Sequence, residues 1–481
     1  MDELDISILK RRSVHGVLAL VSRSFLLNII SFVSFLVIST QLLASDLGIY
    51  TAIIAIQRVI SFFTDFGLGA ALVQKKEEVT KKDIRTAFTI QTIITFSIFL
   101  VVFLLRNSIS EFFNIGDSGQ VLLLVLVFSI FLSSFKTIPS VLLERKVDFQ
   151  KLVIPQIVES FIFNLVLITF LLKGMGIVSF SWAFLLSSLI GIPVYYFFSP
   201  WPIGIGISKE SAHHLKYGIQ FQAKNVLATI KDDLLTVILS KILSFTQIGY
   251  IGFAQRLSFF VYRYIVDSVT KVTFSTYSRI QESPEILKKA IEKSLFFVSF
   301  AMFPILLGLI ATSQYFIIYF SKWNKWEPAV ISIIFFSLNA LISSISGILI
   351  NVLDATGRVK TTLKLMALWT VSTWALTPVL IKLFGFNGVS IASFIISLSV
   401  MITIFLVKRV VNFNFLESAI KPALSSFFML VVVLILCRIF VNSLISLGIV
   451  IGIGGVIYIT IMMIIAREEI LSGIKVLKKN E

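Results

Sequence analysis

The sequence predicts an all-α, polytopic integral membrane protein of about 14 transmembrane helices, arranged as two pseudo-symmetric six-helix lobes plus two C-terminal helices. Three observations predict this fold class. The 481-residue chain is 57% hydrophobic and only 14% charged, with a mean hydropathy of +0.96, which is more apolar than a soluble core requires. Apolar runs of about 18 residues or more recur along the chain, each long enough to cross about 30 Å of hydrocarbon. Similar segments also recur about 200 residues apart.

The apolar runs are continuous rather than alternating, which indicates helices and not the strands of a membrane barrel. The connections between them are short, and no soluble domain is inserted. The longest connection, 269–293, is basic and amphipathic and is expected to form a surface helix. The predicted spans are 16–39, 46–70, 84–105, 120–138, 152–172, 176–198, 217–239, 246–268, 294–312, 328–353, 362–383, 386–407, 421–441 and 444–466.

The basic residues indicate how the chain is oriented in the membrane. The net charge is +16, and most of the 42 Lys and Arg residues fall in alternate links, in clusters such as "KKEEVTKKDIR" at 75–85. Basic clusters of this kind mark the cytoplasmic side. Both termini are therefore expected in the cytoplasm, and the basic excess requires no nucleic-acid partner.

The second and eighth spans carry a related pattern. Span 2 reads "LGIYTAIIAIQRVISFFTDFG" (47–67) and span 8 reads "IGYIGFAQRLSFFVYRYIVD" (248–267). Each has a Gly and a Tyr near its start, then "QR", then "SFF", and an Asp near its end. The repeat predicts an N-terminal six-helix lobe at 1–205, a C-terminal six-helix lobe at 206–408, and two additional helices with a cytoplasmic tail at 409–481. Chance similarity between apolar strings is the alternative.

Basic residues also lie inside spans, and all of those identified fall in spans 1, 2, 7 and 8. A charge near the bilayer centre costs about 3 kcal/mol or more unless it faces protein or water. On span 2, Arg58 shares a helix face with Ser61 and Asp65. We expect these polar stripes to face a common water-filled cavity, which would suit an anionic cargo because guanidinium groups match phosphate oxygens. The basic residues are Arg23, Arg58, Lys224, Lys231, Arg256 and Arg263.

The alternative for every one of these charges is that it pairs with another charge and only holds helices together. This alternative is favoured for Arg263, Asp233 and Asp267, which lie near span ends or on other faces. No metal site is expected, because the adjacent His213 and His214 lack ligand spacing, and no nucleotide-binding or hydrolytic motif occurs. The predicted substrate-binding residues are Arg23, Arg58, Lys224, Lys231 and Arg256, and the predicted ion-coupling or charge-pairing residues are Asp65, Asp232, Asp233 and Asp267.

Several motifs resemble those of bacterial polysaccharide exporters, the Wzx-like oligosaccharide flippases of the multidrug/oligosaccharidyl-lipid/polysaccharide (MOP) superfamily. The motifs are "TDFGLGAALVQKKE" (64–77), "IKDDLLTVILSKILSFTQIGYIGFAQRLS" (230–258), "FSKWNKWEPAV" (320–330) and "LDATGRVK" (353–360). The resemblance covers nearly the whole chain. The related lipid II flippase uses cavity Arg residues on its first, second and eighth helices, where Arg23, Arg58 and Arg256 stand here.

The resemblance implies two lobes around a central cationic cavity and transport by alternating access. The implied cargo is an oligosaccharide linked to undecaprenyl pyrophosphate (an O-antigen, capsule or exopolysaccharide unit), moved from the inner to the outer leaflet of the cell inner membrane. The implied function is not enzymatic and needs no cofactor, although Na⁺ or H⁺ coupling is left open. Membrane lipids, a polysaccharide polymerase and a chain-length regulator are the partners to be expected.

Two other functions compete with this one. An ion-coupled multidrug exporter of the same superfamily would handle cations in an acidic, base-poor cavity, and Arg23 argues against that. An integral-membrane polymerase or glycosyltransferase would need a catalytic segment outside the membrane, but the outer loops are about fifteen residues long at most.

Overall fold

The computed structural model describes residues 26–27, 29–64, 72–73, 75, 77–146, 148–208 and 229–471. The chain forms two compact units that divide between Gly249 and Tyr250. The helices of the first unit are α1 (Ile29–Gln41), α2 (Ala44–Thr64), α3 (Lys81–Leu104), α4 (Arg106–Phe113), α5 (Gly116–Arg145), α6 (Phe149–Leu172), α7 (Val178–Phe198), a π-helix (Ile230–Leu234) and α8 (Leu235–Ile242).

The unit boundary falls near the start of α9 (Phe245–Ile280), so most of that helix belongs to the second unit. The described residues contain no β-strand. The remaining helices of the second unit are α10 (Pro284–Tyr319), α11 (Val330–Ala355), α12 (Val359–Phe384), α13 (Gly388–Ser397), α14 (Val400–Lys408), α15 (Phe415–Phe440) and α16 (Leu444–Ile465), with 3₁₀ turns at Asn324–Ala329 and Gly385–Asn387.

Within the described part of the chain, 9 helical segments are long and apolar enough to cross a membrane. Every span predicted from the sequence overlaps a helix there, although residues 16–25 and 28 of the first span, 65–70 of the second and 217–228 of the seventh lie outside the described residues. The all-α, polytopic fold class is therefore confirmed. Continuous apolar runs were sufficient to locate the helices, because a spanning segment must satisfy its own backbone hydrogen bonds.

The predicted surface helix at 269–293 is wrong. Helices α9 and α10 have 36 residues each and are therefore about 54 Å long, and only residues 281–283 separate them. Both helices are longer than the hydrocarbon is thick, which is about 30 Å. The basic amphipathic stretch therefore belongs to the C-terminal part of α9 and the N-terminal part of α10, and it is not a third element.

Glycines let the start of α9 approach α2 closely within the first unit. A Cβ atom on Gly48 would lie 1.7 Å from the carbonyl oxygen of Phe245, and one on Gly249 would lie 1.9 Å from that of Ala44. No larger residue fits at either position without moving a backbone, which is the usual reason for small residues where membrane helices cross. The contact fixes the N-terminal end of α2. Further along, α2 packs against α5, the π-helix and α8.

Arg145, the last residue of α5, holds the segment that follows α2. Its Nη1 donates to the carbonyl oxygens of Leu72 at 2.6 Å, Val73 at 3.3 Å and Lys75 at 2.8 Å, and its Nη2 donates to that of Glu77 at 3.0 Å. A planar guanidinium can serve several carbonyls at once, whereas an ammonium is a compact point charge. One side chain therefore satisfies much of the backbone of this link.

We expect Arg145→Lys to destabilise the protein by about 2 kcal/mol or more, because lysine keeps the charge but loses most of these charge-assisted hydrogen bonds. The measurement is the apparent Tm of the purified protein in detergent, together with the rate at which a protease cleaves the 72–77 segment. Lys146→Arg is the matched control, since it alters the neighbouring basic residue and leaves the four contacts in place. Equal melting temperatures for Arg145→Lys and the wild type would contradict the assignment.

Candidate functional site

The polar face of α2 is built around Arg58. Gln57 Nε2 donates to Ser61 Oγ at 3.1 Å, one turn further along the helix. The Arg58 side chain is 57% exposed, although it lies inside an otherwise apolar helix, six residues before its last residue, Thr64. A guanidinium with this exposure faces water or a polar ligand, because hydrocarbon would be too costly a surrounding. Asp65, the third member of the predicted stripe, lies outside the described residues.

A π-helix, Ile230–Leu234, carries the other charged residues of the first unit's candidate site. The sequence predicted an uninterrupted helix over 217–239, and nothing in it signalled the wider turn. Lys231, Asp232 and Asp233 are consecutive on this turn, and the Asp232 carbonyl accepts a hydrogen bond from Thr236 Oγ1 at 2.7 Å. Single π-turns are uncommon and occur frequently at functional sites. The turn presents three ionisable side chains within five residues.

The structure brings Arg58 and the π-helix together. Arg58 Nη1 lies 3.2 Å from Asp233 Oδ1, and this is a single N–O contact rather than a bidentate one. The Asp233 side chain is only 16% exposed. On the same turn, Lys231 Nζ lies 3.4 Å from Asp232 Oδ1. Two bases and two acids of the predicted site therefore form a compact charged cluster between α2 and the π-helix.

The other predicted site residues that the structure describes lie on α9, in the second unit. Arg256 is half-buried, while Arg263 and Asp267 are exposed. Arg256 and Arg263 are seven residues apart and share one face of the helix. Asp267 interacts electrostatically with Arg263, one turn before it, and with Lys271, one turn after it. The remaining predicted residues, Arg23 and Lys224, lie outside the described residues.

Sequence reasoning missed one basic residue inside a span. Lys136 Nζ lies 2.6 Å from Glu159 Oε1, joining α5 to α6, and these side chains are only 16% and 21% exposed. The predicted fourth span ended at 138, which placed Lys136 at its edge. The helix in fact continues to Arg145, so Lys136 lies about 14 Å from its end. Glu159, an acidic residue in the following span, was the sequence feature that could have indicated a partner for Lys136.

Gly191 of α7 completes the surroundings of this pair. A Cβ atom on Gly191 would lie 1.8 Å from Glu159 Oε1, so the absent side chain is what lets the carboxylate lie between α6 and α7. The pair therefore joins α5 to α6 and lies against α7. No group of three or more His, Cys, Asp or Glu that could hold a metal ion occurs among the described residues.

We expect the Lys136–Glu159 pair to show strong coupling in a double-mutant cycle. Glu159→Gln or Lys136→Met alone should destabilise the protein by about 3 kcal/mol, because each leaves the other charge buried without its partner. The double variant should recover much of this loss, since it leaves no unpaired charge. The measurement is the apparent Tm of the four proteins in one detergent. Additive losses in the double variant would show that the two side chains do not depend on each other.

Comparison with known proteins gives a family and a fold. A family model described as "Polysaccharide biosynthesis protein" matches residues 37–331. The chain is similar to the lipopolysaccharide biosynthesis protein WzxC of Escherichia coli (strain K12), with 23% identity over 296 residues, which is 59% of this chain and 58% of that protein. It is also similar to an uncharacterized membrane protein in the cps region of Klebsiella pneumoniae, with 23% identity over 64% of each chain. Both alignments therefore span less than two thirds of the relative.

Two solved structures share the fold. The lipid II flippase MurJ in an inward closed conformation superposes with a TM-score of 0.78 at 21% sequence identity, over 94% of this chain and 99% of that one. An inward-facing multidrug resistance transporter of the MATE family in the MOP superfamily superposes with a TM-score of 0.63 at 12% identity, over 80% of this chain and 95% of that one. At these identities the likeness concerns architecture alone.

Proposed function

Because the chain belongs to the polysaccharide biosynthesis protein family, we propose that it is a flippase for a polyprenyl-pyrophosphate-linked oligosaccharide. The cargo would be the repeat unit of an O-antigen, a capsule or an exopolysaccharide, moved from the inner to the outer leaflet of the cytoplasmic membrane. One observation carries the proposal beyond the family: Arg58, inside the otherwise apolar helix α2, keeps a guanidinium that is more than half exposed. A cation kept accessible at that position needs an anionic or aqueous neighbour.

The chemistry of the head group fits the site. Pyrophosphate carries several anionic oxygens, and arginine binds such oxygens through two parallel hydrogen bonds. Arg58 makes a single N–O contact towards Asp233, so a ligand that binds its guanidinium through two hydrogen bonds would make the stronger contact. Lys231 is the neighbouring base on the π-helix. We assign Arg58 and Lys231 to head-group binding and extend the proposal to Arg23, Lys224 and Arg256 from the sequence alone.

The transport step in this proposal is alternating access through a cationic cavity. In it, the N-terminal lobe at 1–205 and the C-terminal lobe at 206–408 change conformation around the cargo, while 409–481 contributes two trailing helices. Asp65, Asp232, Asp233 and Asp267 would bind a coupling Na⁺ or H⁺ or neutralise the bases. The arrangement of Lys and Arg along the chain supports cytoplasmic termini. A polymerase and a chain-length regulator would work beside the protein.

A multidrug exporter is the second candidate, supported by the fold shared with a MATE family transporter. A cavity for cationic drugs would favour carboxylates over guanidinium groups. The exposed Arg58 therefore favours an anionic cargo over a cationic one.

We expect Arg58→Ala and Arg256→Ala to reduce export of the lipid-linked oligosaccharide by about ten-fold or more, because each removes a charge-assisted contact to pyrophosphate. The measurement is complementation of a deletion strain, scoring polymer at the surface and lipid-linked oligosaccharide on the cytoplasmic leaflet. Loss outside with accumulation inside is the expected result.

Arg106→Ala is the matched control for this experiment. Arg106 is also an arginine of the first unit, but its guanidinium lies 4.6 Å from the centre of the Phe103 ring, outside the site, so export should be retained. Normal surface glycan in Arg58→Ala, at wild-type protein levels in the membrane, would refute the proposed function. Sensitivity of the deletion strain to cationic drugs, with unchanged surface glycan, would favour the multidrug exporter.

A further inference from the structure

The two members of the Arg58–Asp233 pair differ in accessibility. Arg58 is 57% exposed and Asp233 only 16%, so an incoming ligand meets the guanidinium before it meets the carboxylate. The contact is one N–O distance of 3.2 Å, and a carboxylate bound through one oxygen is a weaker partner than one bound through two. The contact therefore neutralises the charge of Arg58 and leaves its guanidinium accessible to a ligand.

An anionic ligand would compete directly with this carboxylate. A guanidinium has five N–H donors in one fixed plane. Asp233 already occupies Nη1 of Arg58, so a pyrophosphate that binds through Nη1 needs the same donors. The most favourable complex is bidentate and uses one edge of that plane. Full engagement of Arg58 by a doubly anionic head group therefore weakens its contact with Asp233.

We propose that Asp233 is a built-in competitor for the anionic cargo. It holds Arg58 while the site is empty, is displaced when the pyrophosphate binds, and takes Arg58 back when the cargo leaves. The inference rests on the proposed function and adds to it a specific role for one carboxylate. Asp233 acts as a positioning residue that sets how tightly the cargo is held.

The position of Asp233 on the π-helix provides for its displacement. A π-turn becomes an α-turn by a shift of one residue in its backbone hydrogen bonds, and one residue corresponds to about 100° of rotation on a helix. Such a shift would turn Asp233 away from α2 without unfolding Ile230–Leu234. Lys231 lies on the same turn, 3.4 Å from Asp232, so a positive charge is close by for the displaced carboxylate.

The test measures binding of farnesyl pyrophosphate to the full-length protein in nanodiscs by titration calorimetry, with farnesol as the probe without phosphate. Asp233→Asn is expected to tighten binding about five-fold, because it removes the competing charge while keeping the shape of the side chain. Asp117→Asn removes a negative charge from the same unit, at the first turn of α5, so its smaller gain measures the general effect of lost negative charge. A purely structural disturbance would not tighten binding.

Arg58→Ala and the double variant Arg58→Ala/Asp233→Asn complete the cycle. If Asp233 acts by competing for Arg58, then Asp233→Asn should give no gain in affinity when Arg58 is absent. An equal gain with and without Arg58, an equal gain in Asp117→Asn, or weaker binding in Asp233→Asn would each overturn the inference.

The failure of this inference can be told apart from the failure of the proposed function. Binding that depends on phosphate and on Arg58, but does not change in Asp233→Asn, removes only the competitor role. No phosphate-dependent binding to the wild type, together with normal surface glycan in Arg58→Ala, removes both.

Discussion

A charged side chain inside a membrane needs a countercharge, a polar ligand or water, because hydrocarbon supplies none of them. The described residues meet this constraint in two different ways. Lys136 and Glu159 are both largely buried and lie 2.6 Å apart, so this pair is complete in itself and joins helices. Arg58 also has a partner, Asp233, but remains more than half exposed. The first arrangement suits stability and the second suits exchange with a ligand.

The sign of the accessible charge distinguishes the candidate functions, because the fold alone does not. The same architecture occurs in a lipid II flippase and in a multidrug transporter. The family match confirms the predicted resemblance to polysaccharide exporters. The fold shared with a flippase and a transporter adds the architecture. Under the proposed function, the exposed guanidinium of Arg58 favours an anionic cargo over a cationic one.

The sequence predicted what depends on hydropathy and missed what depends on local geometry. The spans were located because each must be apolar along its whole length. Lys136 was overlooked because α5 extends beyond its apolar run, and the stretch 269–293 was misjudged because α9 and α10 also continue beyond theirs. Both errors come from the same assumption, that a helix ends where its apolar run ends.

The charged cluster was predicted only in part, for a related reason. Helical spacing places Arg58 on a polar face, but spacing within one helix cannot show which acid of another helix meets it. Asp232 and Asp233 are neighbours in sequence, and the π-turn decides that Asp233 contacts Arg58 while Asp232 contacts Lys231. A wider turn has no signature in hydropathy, because it changes backbone hydrogen bonding and not composition.

A flippase of the proposed kind must also release its cargo. Release would depend on the acids of the site as much as binding would depend on the bases. A cluster of cations without acidic partners would bind pyrophosphate so tightly that release would limit every cycle, since binding must be favourable enough for entry and weak enough for exit. An internal carboxylate lowers the net affinity without removing the donors that recognise the head group. Under the proposed function, Arg58 with Asp233 beside it, rather than Arg58 alone, is thus the arrangement that suits recognition followed by release.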